Sequence, residues 1–147
     1  MEKSKMELIK EYIETCPLLN GDKINVDYLK DEVYSYSIDR TPSQPIVQPF
    51  VDGGGKKQIT FDFTVTAPIS SRAVTNLANS KFGEDFMTWI EKQNRNKNFP
   101  EIDGAFKIEC TSPSYVLQKT DTTAIYIIQI NFIYYELLGA KENTASL

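Results

Sequence analysis

The chain begins with a helical period. Met6, Ile9, Ile13 and Cys16 recur three or four residues apart, with Leu8 and Tyr12 widening the stripe. That spacing lines up side chains on one face of an α-helix and predicts one over Ser4 to Thr15. Ser4 and Glu7 have the separation of a capping box, and Pro17 stops the ladder of amides. Asn20-Gly21 marks a turn, and Lys23 to Leu29 is too short and irregular to assign. From Val33 to Asp39 the period falls to two: Tyr34, Tyr36 and Ile38 lie on one side, Ser35, Ser37 and Asp39 on the other. This predicts a half-buried strand. Arg40 to Phe50 holds Pro42, Pro45 and Pro49, which excludes a central strand but leaves an edge strand possible at Ile46-Val47.

The clearest strand follows. Ile59, Phe61, Phe63 and Val65 alternate with Gln58, Thr60, Asp62, Thr64 and Thr66, so the apolar set should point into the core and the hydroxyl-rich set outward. Before it stand Asp52, Gly53, Gly54, Gly55, Lys56 and Lys57, predicted to form a flexible, positively tipped hairpin loop and a candidate contact with neighbouring proteins. These glycines precede a strand and no Ser or Thr follows the lysines, so the phosphate-cradling pattern of a P-loop is not met. After Pro68, Ser70 or Ser71 can cap a short helix carrying Val74, Leu77 and Ala78. A second helix is predicted from Gly83 to Gln93, with Phe82, Phe86, Trp89 and Ile90 on its apolar face and Trp89 as a core anchor. Asn94 to Pro100 reads as an exposed polar loop.

The remainder is β. Phe106, Ile108 and Cys110 alternate with Lys107, Glu109 and Thr111, and Tyr115 to Gln118 is a short strand. Thr122 to Leu137 is a long strand, apolar on both sides, which should be central in the sheet or buried in a subunit contact. The order predicts an α+β fold: a single mostly antiparallel sheet with helices packed on one face. One domain is expected over residues 1–138, with residues 139–147, small and polar, forming a disordered tail.

Composition narrows the chemistry. The 147 residues include no histidine, and the formal net charge is −4. Without histidine there is no Ser-His or Cys-His nucleophile pair and no histidine metal ligand. Cys16 and Cys110 are far apart and form no CxxC motif, so neither a metal nor a disulfide is expected. The carboxylates invite pairing as Asp39 with Arg40 or Asp62 with Glu109, although each reads more simply as a solvated strand-face or turn charge. No catalytic set and no cofactor site emerges. An acidic balance argues against nucleic acid as a partner, no apolar window reaches the ~20 residues of a membrane span, and no apolar leader follows the N-terminus, so a cytoplasmic start is expected.

The run Thr15-Cys16-Pro17-Leu18-Leu19, followed by Gly21 and by Lys23 through Leu29, resembles a family from phages and prophages of Gram-positive bacteria. Its members are called minor capsid proteins or tail terminators. Tyr36 to Asp39, Pro42 to Pro45, Phe50 to Gly53, the helix bearing Trp89 with Asn98-Phe99-Pro100 after it, and the closing β-stretch are similar too. These are core and turn positions with no catalytic signature. The resemblance implies a ring, typically of six subunits, that caps the tail tube, with the tail-tube protein and a head-side connector as partners in the virion. Alternatives are a head–tail joining subunit, an adaptor or immunity protein with one host partner, and a small ligand-binding α+β protein.

Overall fold

A computed structural model describes residues 2–30 and 32–137 of the chain; the predicted tail at 139–147 lies outside the described residues. In chain order the elements are α1 (Lys5–Ile13), a short 3₁₀ helix (Pro17–Leu19), β1 (Ile24–Val26), β2 (Ser35–Arg40), β3 (Ile46–Pro49), β4 (Gly55–Pro68), α2 (Ala73–Arg95), β5 (Ala105–Cys110), β6 (Tyr115–Lys119) and β7 (Thr123–Glu136). The fold is α+β, with one seven-stranded, mostly antiparallel sheet.

Two long strands set the frame. β4 and β7 pair antiparallel along their full length, Gly55 opposite Glu136 and Pro68 opposite Thr123. Each is flanked on its other side by two short strands in tandem. Along β4, β3 pairs with Gly55–Lys57 and β2 with Phe61–Thr66. Along β7, β6 pairs with the stretch from Ala124 to Ile127 and β5 with that from Ile130 to Tyr134. β1 adds to β2 in parallel. The long apolar strand is therefore central within the monomer, with partners on both edges.

The β4 alternation points as its sequence requires. Ile59, Phe61, Phe63 and Val65 are buried, beside Phe132, Ile130, Ile128 and Tyr126 of β7, under α1 and α2. Phe86 of α2 stacks on Phe63 at 4.5 Å between centroids, and Trp89 leans on Tyr12 at 5.5 Å. Burying side chains of this size stabilises the fold by roughly 1.5–3 kcal/mol each. The Ser4 hydroxyl caps α1 by accepting from the Glu7 amide at 3.1 Å.

Four expectations are corrected. The two predicted helices are one, because Gly83 costs a helix interior only ~1 kcal/mol and is wanted there for space: a Cβ on it would lie 2.6 Å from Ser114 Cβ. Once the helix is continuous, Val74 and Leu77 fall in phase with Lys81, Glu84 and Thr88 and are exposed. Tyr34, expected inside, is exposed, and Ser37, Thr64 and Thr66 are buried. The chain before β2 crosses the outer face there, with Tyr28 N donating to Ser37 Oγ, Thr66 Oγ1 to Lys30 O and Tyr34 N to Thr66 O. Phe106 turns outward because the β5–β7 register slips between Ala105 and Lys107. Asn94, assigned to an exposed loop, belongs to the last turn of α2, and its carboxamide bonds the backbone of Ile108: Oδ1 accepts from the amide at 2.9 Å and Nδ2 donates to the carbonyl.

Candidate assembly surfaces

Sheet edges are where one chain can add to another, because they carry backbone donors and acceptors that no strand has paired. Two are engaged by side chains at one residue each. Asn94 occupies the outer edge of β5 as a neighbouring strand would. Glu14 of the α1 C-cap accepts the Ile24 amide at the start of β1 at 2.8 Å. β3 and β6 have no such cover among the described residues, and every residue in both is exposed.

Register fixes where these two open strands stand. β3 flanks β4 at the level of Gly55 to Lys57 and β6 flanks β7 at the level of Ala124 to Ile127. Since Lys57 faces Tyr134 and Ala67 faces Ala124, the strands occupy diagonally opposite corners of the sheet, separated by ~34 Å along the strand direction. Each corner is apolar. Ile46, Val47 and a fully exposed Val51 mark the β3 corner; Tyr115, Val116 and Leu117 mark the β6 corner. Val74 and Leu77 stand on the exposed face of α2's first turns, at the same end of the sheet as β6, where Asn79 bonds Pro68 O at 2.7 Å. The β6 corner was not read from the sequence as an interaction surface. Its signal was available: Leu77 is apolar in helical phase with Lys81, and Val116 and Leu117 are consecutive apolar residues that cannot both face one core.

The predicted interaction loop is shorter and less charged than expected. Asp52, Gly53 and Gly54 form the tip, where Asp52 Oδ1 accepts from Gly54 N at 2.9 Å and Phe50 N donates to Gly54 O at 2.9 Å. Gly55, Lys56 and Lys57 are already in β4, their positions fixed by pairing with β7. Lys57 is tied to Glu136 at 2.8 Å; that hydrogen bond raises the pKa of its ammonium above the ordinary value. Lys56 stands 5.7 Å from the Phe106 ring centroid. Phe106 meets Tyr135 edge-on at 5.1 Å and Phe50 stacks on Tyr135 at 6.1 Å. The tip is therefore anchored by aromatic contacts and carries no free pair of positive charges.

The carboxylates pair differently from either sequence grouping. Asp62 lies directly opposite Asp39 on β2 and Gln129 on β7. Glu109 is two strands away from Asp62 and pairs with Lys107 at 3.0 Å. Burial, and secondarily the charge of Asp39, raises the Asp62 pKa above its ordinary value. One carboxyl oxygen, Oδ1, is buried without a hydrogen-bond partner among the described residues. Cys16 is buried and Cys110 half-buried, both as free thiols; burial pushes Cys110 up to about 12, which keeps it protonated and a poor nucleophile. Among the described residues no group of three or more His, Cys, Asp or Glu is placed to hold a metal ion, and no helix is long and apolar enough to cross a membrane.

Between the first half of α2 and the sheet lies a cavity of about 380 Å³, walled by Tyr36, Phe63, Val65, Phe82, Tyr126 and Ile128. Asn79 spans it, donating to Pro68 O and, at 3.5 Å, to the Tyr126 hydroxyl. No protein-family model matches the chain, and no characterised protein matches it in sequence.

Proposed function

We propose that this chain is a structural subunit of the phage tail-terminator kind, which assembles into a closed ring, caps the tail tube and offers a surface to the head-side connector. The observation that carries this reading is the pair of exposed apolar edge strands at opposite corners of one sheet. A closed ring is built from a heterologous interface, so every subunit must present two different surfaces that meet each other and not themselves. The β3 corner and the β6 corner meet that requirement. The β1 and β5 edges are each engaged by a side chain at one residue, Ile24 and Ile108, which disfavours strand addition there relative to these two places. The resemblance in residues 15–29, in the Trp89 helix and in the closing strands supports the same reading, and supplies the expected six-fold count and the two phage partners. The long strand β7, also expected as interface, contributes instead by holding both corners in fixed relation, since it pairs with β4, β5 and β6.

Negative-stain microscopy of the purified full-length protein, alone and mixed with tail tubes, tests the proposal. Closed rings, free or seated on tube ends, are the expected result. Monomers in both preparations, with bare tube ends, would overturn it.

A further inference from the structure

The cavity under α2 has the size of a small-molecule site, which typically spans ~300–1,000 Å³. Its charge and its walls restrict what fits. Tyr34, Tyr36, Phe63, Phe82 and Tyr126 bring five aromatic rings to it; among the described residues Asp22 is the one carboxylate that lines it, and no lysine or arginine does. Asp22 stands on the exposed turn after the 3₁₀ helix, close enough to Tyr36 to act on its hydroxyl. Burial first, and the Asp22 charge second, push the Tyr36 hydroxyl up to about 12, so the phenol stays neutral, its ring stacked with Phe63 at 6.0 Å and Phe82 at 6.3 Å. The Asn79 amide donates to the Tyr126 oxygen at 3.5 Å. The site as a whole is apolar, electron-rich and negatively charged at its mouth.

We propose that this cavity binds a small organic cation, an ammonium or guanidinium group carried on an apolar body. Aromatic faces attract a cation held within ~6 Å of their centroids, and Asp22 supplies the opposing charge where the cavity meets water. The apolar sheet positions Phe63, Val65 and Ile128 take the body of the ligand. An anion of the same shape finds a carboxylate and no cationic side chain. The inference does not depend on ring formation, because all the lining residues belong to one subunit.

Calorimetric titration of the full-length protein at neutral pH with phenylbutylamine, phenylbutanol and phenylbutyrate tests it, since these share a body and differ in charge. The amine is expected to bind roughly ten-fold tighter than the alcohol, and the carboxylate most weakly. Asp22→Asn, on an exposed turn, should bring the amine to the level of the alcohol without altering the thermal melt. Ala78→Trp, which fills the cavity from the helix side, should abolish binding of the amine. Equal affinity for amine and alcohol, no binding of any of the three, or amine binding that survives Ala78→Trp would each overturn the proposal.

Discussion

Replacing Asn94 by alanine should cost the protein a substantial part of its stability, although the residue looks on paper like one more polar position at a helix end. Its carboxamide makes both hydrogen bonds that a neighbouring strand would make to Ile108, accepting from the amide and donating to the carbonyl. Ile108 is fully buried. Each lost bond is worth ~1 kcal/mol net, and a buried backbone group left unpaired adds a desolvation penalty of ~1–3 kcal/mol. With partial rescue by water, the sum is ~2–4 kcal/mol. For a chain of this length that corresponds to a fall in melting temperature of ~5–12 °C, measurable by circular dichroism or calorimetry. Asn94→Asp separates the two bonds. It keeps an acceptor for the Ile108 amide but sets a carboxylate against the Ile108 carbonyl, so at neutral pH it should be no more stable than the alanine variant. Below about pH 4 the carboxyl regains a donor and part of the loss should return. If Asn94→Ala melts within about 2 °C of the parent, the β5 edge is not held by this side chain and the argument that growth favours the other two edges loses its support.

Three further outcomes follow from single residues. Gly104 has φ +80° and a Cβ there would sit 1.9 Å from Tyr135 O, so Gly104→Ala should destabilise by more than ~3 kcal/mol, combining left-handed strain with a backbone clash; denaturant melts read this. Asp62 has a raised folded-state pKa, so its carboxyl contributes stability below the ordinary value of 3.8 that is lost as pH rises through the folded value. Asp62→Asn should therefore stabilise by up to ~1 kcal/mol at pH 7, where the like charge opposite Asp39 is removed, and by nothing at pH 3, as compared by urea melts. Leu117→Asp and Val47→Asp, each on an exposed corner, should leave the monomer melt unchanged but weaken self-association by at least ~30-fold, the equivalent of losing one buried aliphatic side chain at ~2 kcal/mol; sedimentation velocity measures this.

Much of the fold was legible in the chain itself. The period of two in β4 placed four side chains in the core because a one-residue slip would have inverted them, and the prolines of the 40–50 segment confined β3 to an edge. What was not legible depended on contacts distant in sequence. Ser37 and Thr66 read as solvent-facing hydroxyls, yet they are buried because the chain around Tyr28 and Lys30 folds across them. Phe106 read as core because alternation cannot reveal a register slip set by β7. The single helix α2 read as two with a break near Gly83; only the continuous helical phase across that glycine, against which Ser114 packs, shows Val74 and Leu77 facing outward. The candidate site was less legible than the fold. The Asp52–Lys57 run announced a loop by composition, but pairing with β7 claims its last three residues; the exposed apolar residues of the β6 corner were legible singly, while their gathering at one corner follows from the order of strands.

The central claim is that two different corners of one subunit meet in the next. Two variants, one carrying a photo-crosslinking side chain at Val47 and the other an affinity tag and a cysteine at Leu117, test it directly when mixed and when kept apart. Crosslinks from Val47 of one protomer should land on residues 115–117 of another, and a Leu117 cysteine should not join to its own copy by disulfide in the unmixed sample. Linkage of Leu117 to Leu117 or of Val47 to Val47 would contradict the account, since a self-complementary contact gives a dimer and not a ring.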